Sequence, residues 1–304
     1  MDALPRRAAD IFASPEVVET MLAESGYLPD SGLSTAVFLA LRLGRPLLLE
    51  GAPGVGKTEL AKRIADILDL TLVRLQCYEG IDASQAIYDW DYARQLLAAR
   101  LHGESASRTG AIDLYSEEFL VERPVLRAAR LGDRALLLID EVDRADEQLE
   151  AFLLELLAEG TVTIPELGTV AAKRPPMVVI TSNRTRELQD ALRRRCLYHW
   201  IELPNLERET AIILSHAPEV GEGLARAVAH ATSRIRELRL AKPPGIAESV
   251  DWAKALAALD YEALGPFAID ATVGVLAKTV DDVNAVLAAR ETILKSDNRE
   301  QIRD

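Results

Sequence analysis

Cysteine is nearly missing from this chain of 304 residues: there are two, Cys77 and Cys196. Two thiols cannot build a disulfide framework, and neither has metal-ligand spacing around it, so both are expected to be reduced and buried. Aromatic residues are scarce at 5%. No apolar run approaches the roughly 18 residues of a membrane span, and the opening MDALPRRAADIF lacks the apolar stretch of a signal peptide. A cytoplasmic location is the expectation. Positive charge is in deficit, with 35 Lys and Arg against 48 Asp and Glu, a net charge of −13 and an isoelectric point near 4.9. That balance argues against broad nucleic-acid or anionic-membrane binding. No internal repeat and no low-complexity tract interrupts the chain. What is present is 49% hydrophobic with a mean hydropathy of +0.03, a globular composition with enough apolar material for one large core or two smaller ones.

Five short apolar runs, 46–50, 71–75, 135–140, 177–182 and 197–203, are strand candidates, with helical patterns between them. That alternation predicts an α/β fold with a parallel sheet covered on both faces. After Pro204 the pattern changes: 207–214, 221–240, 246–260 and 269–294 all read as helices. The expected division is therefore an α/β domain over 1–204 and a smaller all-α domain over 205–304, with a polar, frayed tail from Lys295 to Asp304. Two insertions break the alternation. Residues 76–134 are an unusually long link between the second and third strands, and 160–172 read as a hairpin.

The most informative string is GAPGVGKT at Gly51–Thr58, which fits the phosphate-binding loop of strand, glycine turn and helix. Pro46-Leu47-Leu48-Leu49-Glu50 precedes it as a buried strand, and the segment from Glu59 to Leu68 follows with helical apolar spacing. Glycines let successive N–H groups curl toward phosphate oxygens, and the positive end of the helix adds to the attraction. Lys57 can reach the β- and γ-phosphates, and the Thr58 hydroxyl can sit on Mg²⁺. Ala135-Leu136-Leu137-Leu138-Ile139-Asp140-Glu141 is a continuous aliphatic run ending in two carboxylates, which places them at the carboxyl end of a buried strand, where open α/β sheets bind ligands. There Asp140 can hold Mg²⁺ and Glu141 can polarise an attacking water. Met177 to Asn183 repeats the design with a small polar end, and Asn183 can orient the water or meet the γ-phosphate.

With these pieces in order the chain resembles an AAA+ ATPase, and within that superfamily the MoxR group. The matching strings are GAPGVGKTELAK at 51–62, LLLIDEVDRAD at 136–146, TVTIPELGT at 161–169, TSNRTREL at 181–188 and DALRRRCLYHWIELP at 190–204. The resemblance implies a P-loop core with a five-stranded parallel sheet, a helix-two insert within 76–134, a hairpin at 160–172, and a helical lid. It implies ATP and Mg²⁺ as ligands. Gly51, Ala52, Pro53, Gly54, Val55, Gly56, Lys57, Thr58 and Glu59 would bind nucleotide, Thr58 and Asp140 the metal, with Lys57, Glu141 and Asn183 as catalytic groups. In the run Arg193-Arg194-Arg195, Arg195 best matches an arginine finger acting on a neighbouring subunit, and Arg194 is the next candidate. Such proteins assemble as rings, usually hexamers, and act as chaperone-like motors. Many work with a von Willebrand A domain partner and mature a metalloenzyme client; the subgroup suggested here resembles ATPases that help assemble the metal centre of molybdenum-copper carbon monoxide dehydrogenase.

One position departs from the pattern: Glu248 stands where relatives usually carry a sensor-2 arginine, with Lys242, Arg234 and Arg236 as possible substitutes. Tyr78, Tyr88, Trp90 and Tyr92 cluster in the insert, where they either pack the insert down or grip a client; packing is the favoured expectation. His199 is expected to be a hydrogen-bonded structural residue. Two other readings stay open, a small-molecule P-loop kinase and a nucleotide-gated binding module without turnover. The sequence has no Asn-Lys-x-Asp string of the kind that reads guanine.

Overall fold

The computed structural model describes residues 11–104, 113–172 and 174–295. Contacts divide the chain into two units: Met1–Ser25, Pro29–Gly51 and Lys57–Trp200 form the first, and Gly26–Leu28, Ala52–Gly56 and Ile201–Asp304 the second.

In chain order the first unit begins with α1 (Pro15–Glu24) and α2 (Ser31–Leu43), then β1 (Leu47–Gly51), α3 (Lys57–Ile67) and β2 (Thr71–Gln76). The long link holds a one-turn α4 (Ala83–Ala86), β3 (Tyr88–Trp90), α5 (Tyr92–Glu104), β4 (Leu120–Glu122) and α6 (Pro124–Leu131). Next come β5 (Ala135–Asp140), α7 (Glu147–Glu159), β6 (Thr161–Ile164), β7 (Gly168–Ala171), β8 (Met177–Ser182), α8 (Asp190–Arg195) and β9 (Leu197–Ile201). Five strands form one sheet in the order β2-β5-β8-β1-β9, and the β2·β5, β5·β8 and β1·β8 ladders are parallel. The α/β reading therefore holds. Leu136, Leu137, Leu138 and Ile139 are fully buried, as a run covered on both faces must be; each such side chain contributes about 1.5–3 kcal/mol of burial.

The two insertions carry their own small ladders. β3 pairs antiparallel with β4, and β6 with β7, Thr161 opposite Ala171 and Ile164 opposite Gly168. Residues 105–112 of the long link lie outside the described residues. In the aromatic cluster Trp90 is buried and meets Tyr88 and Tyr115 edge-on, whereas Tyr78 and Tyr92 are exposed. Packing accounts for half of the four.

The second unit contains α9 (Leu206–His216), α10 (Glu222–Glu237), α11 (Ile246–Ala258), α12 (Pro266–Leu276) and α13 (Val280–Ile293). Its core centres on fully buried Trp252, packed with Val228, Ile235, Leu256 and Ile269. The indole N–H of Trp252 donates to Thr272 Oγ1 at 2.7 Å, so the large ring is buried without an orphaned donor. Arg236 forms a two-pronged pair with Glu209, each contact 2.7 Å, and Ser249 Oγ donates to the same carboxylate at 2.6 Å.

Three expectations need correction. The single helix expected over 269–294 is two, α12 and α13, because Thr279 is extended and its hydroxyl accepts from Asp282 N–H at 3.1 Å, capping a new helix. The strand expected over 197–203 stops at Ile201. The helix expected over 221–240 stops at Glu237, where Leu238 turns extended. The tail expected to fray falls, from residue 296 on, outside the described residues, as do residues 1–10. Among the described residues no helix is long and apolar enough to cross a membrane.

Candidate active site

The polar groups gather where β5 and β8 end beside one another. Asp140 is the last residue of β5, and its side chain is buried. Thr58 Oγ1, on the first turn of α3, donates to Asp140 Oδ1 at 2.9 Å. Thr181 Oγ1, on β8, donates to the same oxygen at 2.6 Å. The other oxygen, Oδ2, accepts from Arg74 of β2 through Nε at 3.0 Å and Nη2 at 2.5 Å. Glu141 follows in the left-handed conformation, φ 56° and ψ 49°, a strain of roughly 1–2 kcal/mol for a residue with a Cβ. The strain is held by Thr181, whose Oγ1 accepts from Glu141 N–H at 2.9 Å. The Glu141 carboxylate accepts from Gln76 Nε2 at 3.3 Å and from Arg144 Nη1 at 3.2 Å.

Lys57 is buried, 6% exposed, and its ammonium donates to Gly51 O at 2.7 Å. Burial pushes its pKa down to about 8, even though Asp143, Asp140, Glu141 and Glu50 all pull it upward. Asp143 is the acid the sequence reading overlooked. Its carboxylate accepts from Asn183 N–H at 3.1 Å, Thr185 N–H at 2.8 Å and Thr185 Oγ1 at 2.7 Å. Burial alone would raise its pKa, but these donors outweigh burial and hold it below the usual carboxylate value. Asp143 thereby fixes the backbone of Asn183 directly after β8. Glu50 was overlooked too: buried at the end of β1, it accepts from Tyr198 Oη at 3.1 Å and Ser182 Oγ at 3.4 Å. Arg74, Gln76 and Thr181 complete the missed set. Gln76 and Thr181 showed in the sequence only as polar residues near the end of a strand, and Arg74 only as a charge inside one.

The turn from Ala52 to Gly56 belongs to the second unit. Gly54 and Gly56 have φ of 77° and 93°, conformations open to glycine at little cost, and such turns aim main-chain N–H groups into an anion-binding concavity. Ile246 N–H donates to Gly54 O at 3.1 Å, and a Cβ on Gly245 would stand 2.8 Å from Gly54 Cα, so both positions exclude side chains. Glu248 does not point out as a sensor: it caps its own helix by accepting from Gly245 N–H at 3.0 Å. Arg236 is engaged by Glu209 and donates to Pro244 O at 2.7 Å, and Arg234 donates to Thr292 O at 2.6 Å.

Arg193, Arg194 and Arg195 are exposed at the end of α8. Arg195 Nη1 donates to Ala191 O at 3.0 Å, and Arg194 lies 3.8 Å from Asp190. Arg45 fixes the segment by donating to Arg194 O at 2.6 Å and Arg195 O at 3.2 Å. The structure thus does not draw Arg194 or Arg195 onto Asp140 or Glu141 of its own chain; Ala191 O and Asp190, which they meet, are in their own helix. His199 Nε2 lies 3.4 Å from Asp30, as a structural histidine would. Both cysteines are buried; burial first, then the nearby Asp140, pushes the Cys77 thiol up to about 12.

The donor set suits magnesium that arrives with a nucleotide. Among the described residues no cluster of three or more His, Cys, Asp or Glu could cage an ion alone. Thr58 and Asp140 offer one hydroxyl and one carboxylate, and Mg²⁺ commonly takes one or two protein oxygens and completes its shell with phosphates and water.

Residues 46–196 match the family model described as AAA domain (dynein-related subfamily). The chain is 32% identical over 156 residues to midasin of Giardia intestinalis, a match covering 51% of this chain and 3% of midasin. It is 32% identical over 136 residues to the ATP-dependent Clp protease ATP-binding subunit ClpL of Lactococcus lactis subsp. lactis, covering 45% of this chain and 16% of ClpL. It is 27% identical over 182 residues to the chaperone protein ClpB of Chlamydia caviae, covering 59% and 18%. These matches each span less than a fifth of the relative. Among solved structures, the Thermotoga maritima RuvB Holliday junction branch migration motor overlaps 92% of this chain and 72% of its own, at 16% identity and a TM-score of 0.47. Residues 46–196 thus carry an AAA domain of the dynein-related subfamily.

Proposed function

We propose that this chain is an ATP-hydrolysing remodelling motor of the MoxR type. The observation that carries the reading is one continuous hydrogen-bond chain, from Thr58 through Asp140 and Thr181 to the strained main chain of Glu141. It fixes the metal-binding pair and the general base relative to one another. Bound magnesium and ATP would supply the electrophilic phosphorus and neutralise its oxygens. Gly51 to Glu59 would wrap the phosphates, Lys57 turning from Gly51 O toward them. Glu141 would take the proton of the attacking water, and Asn183, anchored through Asp143, would orient that water.

In this reading residues 1–204 are the nucleotide-binding core and 205–304 the lid. The chain closes into a ring, with six copies as the expected number, and Arg195, or else Arg194, reaches the neighbour's nucleotide. Their exposure and the hold of Arg45 on their carbonyls support that role. The work is cytoplasmic maturation of a client, expected to be a metalloenzyme such as a molybdenum-copper carbon monoxide dehydrogenase, with a von Willebrand A domain partner; the support is the motif set at 136–146 and 181–204. Neither a kinase nor a binding module without turnover needs a strained acid after the metal-binding aspartate.

The test is a mixing experiment. Arg195→Ala and Glu141→Gln chains should each hydrolyse little ATP, and mixtures should recover activity as sites form with an intact base and an intact finger. No recovery at any ratio, with assembly verified by light scattering, would exclude a site shared between subunits.

A further inference from the structure

Asp140 divides its two oxygens between different partners. Oδ1 already accepts two hydroxyls, from Thr58 and Thr181. Oδ2 is left to Arg74 alone, which approaches through two nitrogens. Arg74 stands on β2, an edge strand of the sheet, two residues from Gln76, whose main chain is in register with Asp140. Its guanidinium also donates to Gln76 Oε1. The two partners differ sharply in exposure: the Asp140 side chain is 3% exposed and that of Arg74 49%. The carboxylate is enclosed, while the cation on it has half of its side chain open to water. Arg74 therefore puts a unit positive charge on the oxygen a divalent cation would need, and like charges at such range disfavour each other.

We propose that Arg74 is a resident counter-cation for the magnesium position, holding Asp140 neutralised while no nucleotide is bound and competing with the metal when it arrives. The inference rests on the reading of Asp140 as a metal-binding residue. Arg74 is a positioning residue, not a catalytic one. Its physical consequence is an unusual sign: removing a positive charge beside a polyanion's site should tighten binding, provided magnesium is present.

The experiment measures binding, not turnover. A fluorescent, non-hydrolysable ATP analogue is titrated into the full chain with excess magnesium and again in EDTA. Arg74→Gln should bind about tenfold tighter than the parent chain in magnesium, equivalent to about 1.4 kcal/mol, and no tighter in EDTA. Arg74→Lys, which keeps the charge but loses the fork, should fall between the two. Equal or weaker binding by Arg74→Gln in magnesium would overturn the proposal, as would tighter binding in EDTA. Asp140→Asn separates the two layers. If it abolishes the magnesium dependence while Arg74→Gln gains nothing, only the counter-cation fails. If it leaves the dependence intact, the assignment of Asp140 fails first.

Discussion

Buried charge is handled in opposite ways in the two units. In the helical unit Glu209 and Arg236 form a closed pair: two parallel contacts, a hydroxyl from Ser249 on the carboxylate, and further guanidinium N–H groups on Pro244 O and Ser249 Oγ. At the ends of β1, β5 and β8 the count is unbalanced. Glu50, Asp140, Glu141 and Asp143 all act on Lys57, and the other cations near them, Arg74 and Arg144, reach in from the half-exposed rim. Apart from those two arginines, the acids there are held by hydroxyls, main-chain N–H groups and the Gln76 amide, which fix their position without cancelling their charge. The contrast separates an ion pair that closes a structure from acids that outnumber the cations beside them.

Breaking the closed pair should have the largest effect. Arg236→Ala or Glu209→Ala leaves a buried charge alone, and should destabilise the fold by about 3–5 kcal/mol, read from denaturant unfolding. The double variant Glu209→Leu with Arg236→Met should recover most of that loss. A single-variant cost below about 1 kcal/mol would erase the distinction drawn between the units.

The open site should respond with the other sign. Lys57 is depressed from 10.5 to about 8 in the folded chain, so the unfolded chain binds more protons between those values and stability rises with pH across that window. The cost is complete below pH 8 and vanishes above about 10.5. Lys57→Met should therefore be more stable than the parent chain at pH 7 by up to about 3 kcal/mol, with the gap closing as pH climbs from 8 to 10.5, while nucleotide binding is lost. A gap that stayed constant with pH would mean that burial does not strain this ammonium.

The sheet was legible because its strands are apolar runs with nothing else to be. Leu136 to Ile139 can satisfy four large aliphatics only between two layers. The glycine turn before α3 and the acids at 140 and 141 stood out because a repeated glycine and a carboxylate pair closing an aliphatic run are visible in the sequence itself. The break at Thr279 was hidden by uniform apolar spacing on both sides, although a threonine followed three residues later by Asp282 is a capping signal. The helices α1 and α2 went unread on other grounds: Ser14 and Asp30 cap them, but neither flanks a motif. Asp143, Arg74 and Thr181 were out of reach for a different reason. Each matters through a partner far away in sequence, Asp143 to Thr185, Arg74 to Asp140 and Thr181 to Asp140, and such pairings exist only once the strands lie side by side.

The most direct measurement of the central claim is turnover against binding in Glu141→Gln. The account predicts ATP affinity within about twofold of the parent chain and a hydrolysis rate lower by about 10²–10⁴, because one proton acceptor is removed and every phosphate contact is kept. Hydrolysis at the parent rate with unchanged affinity would contradict it and leave the strained acid at the end of β5 without a role.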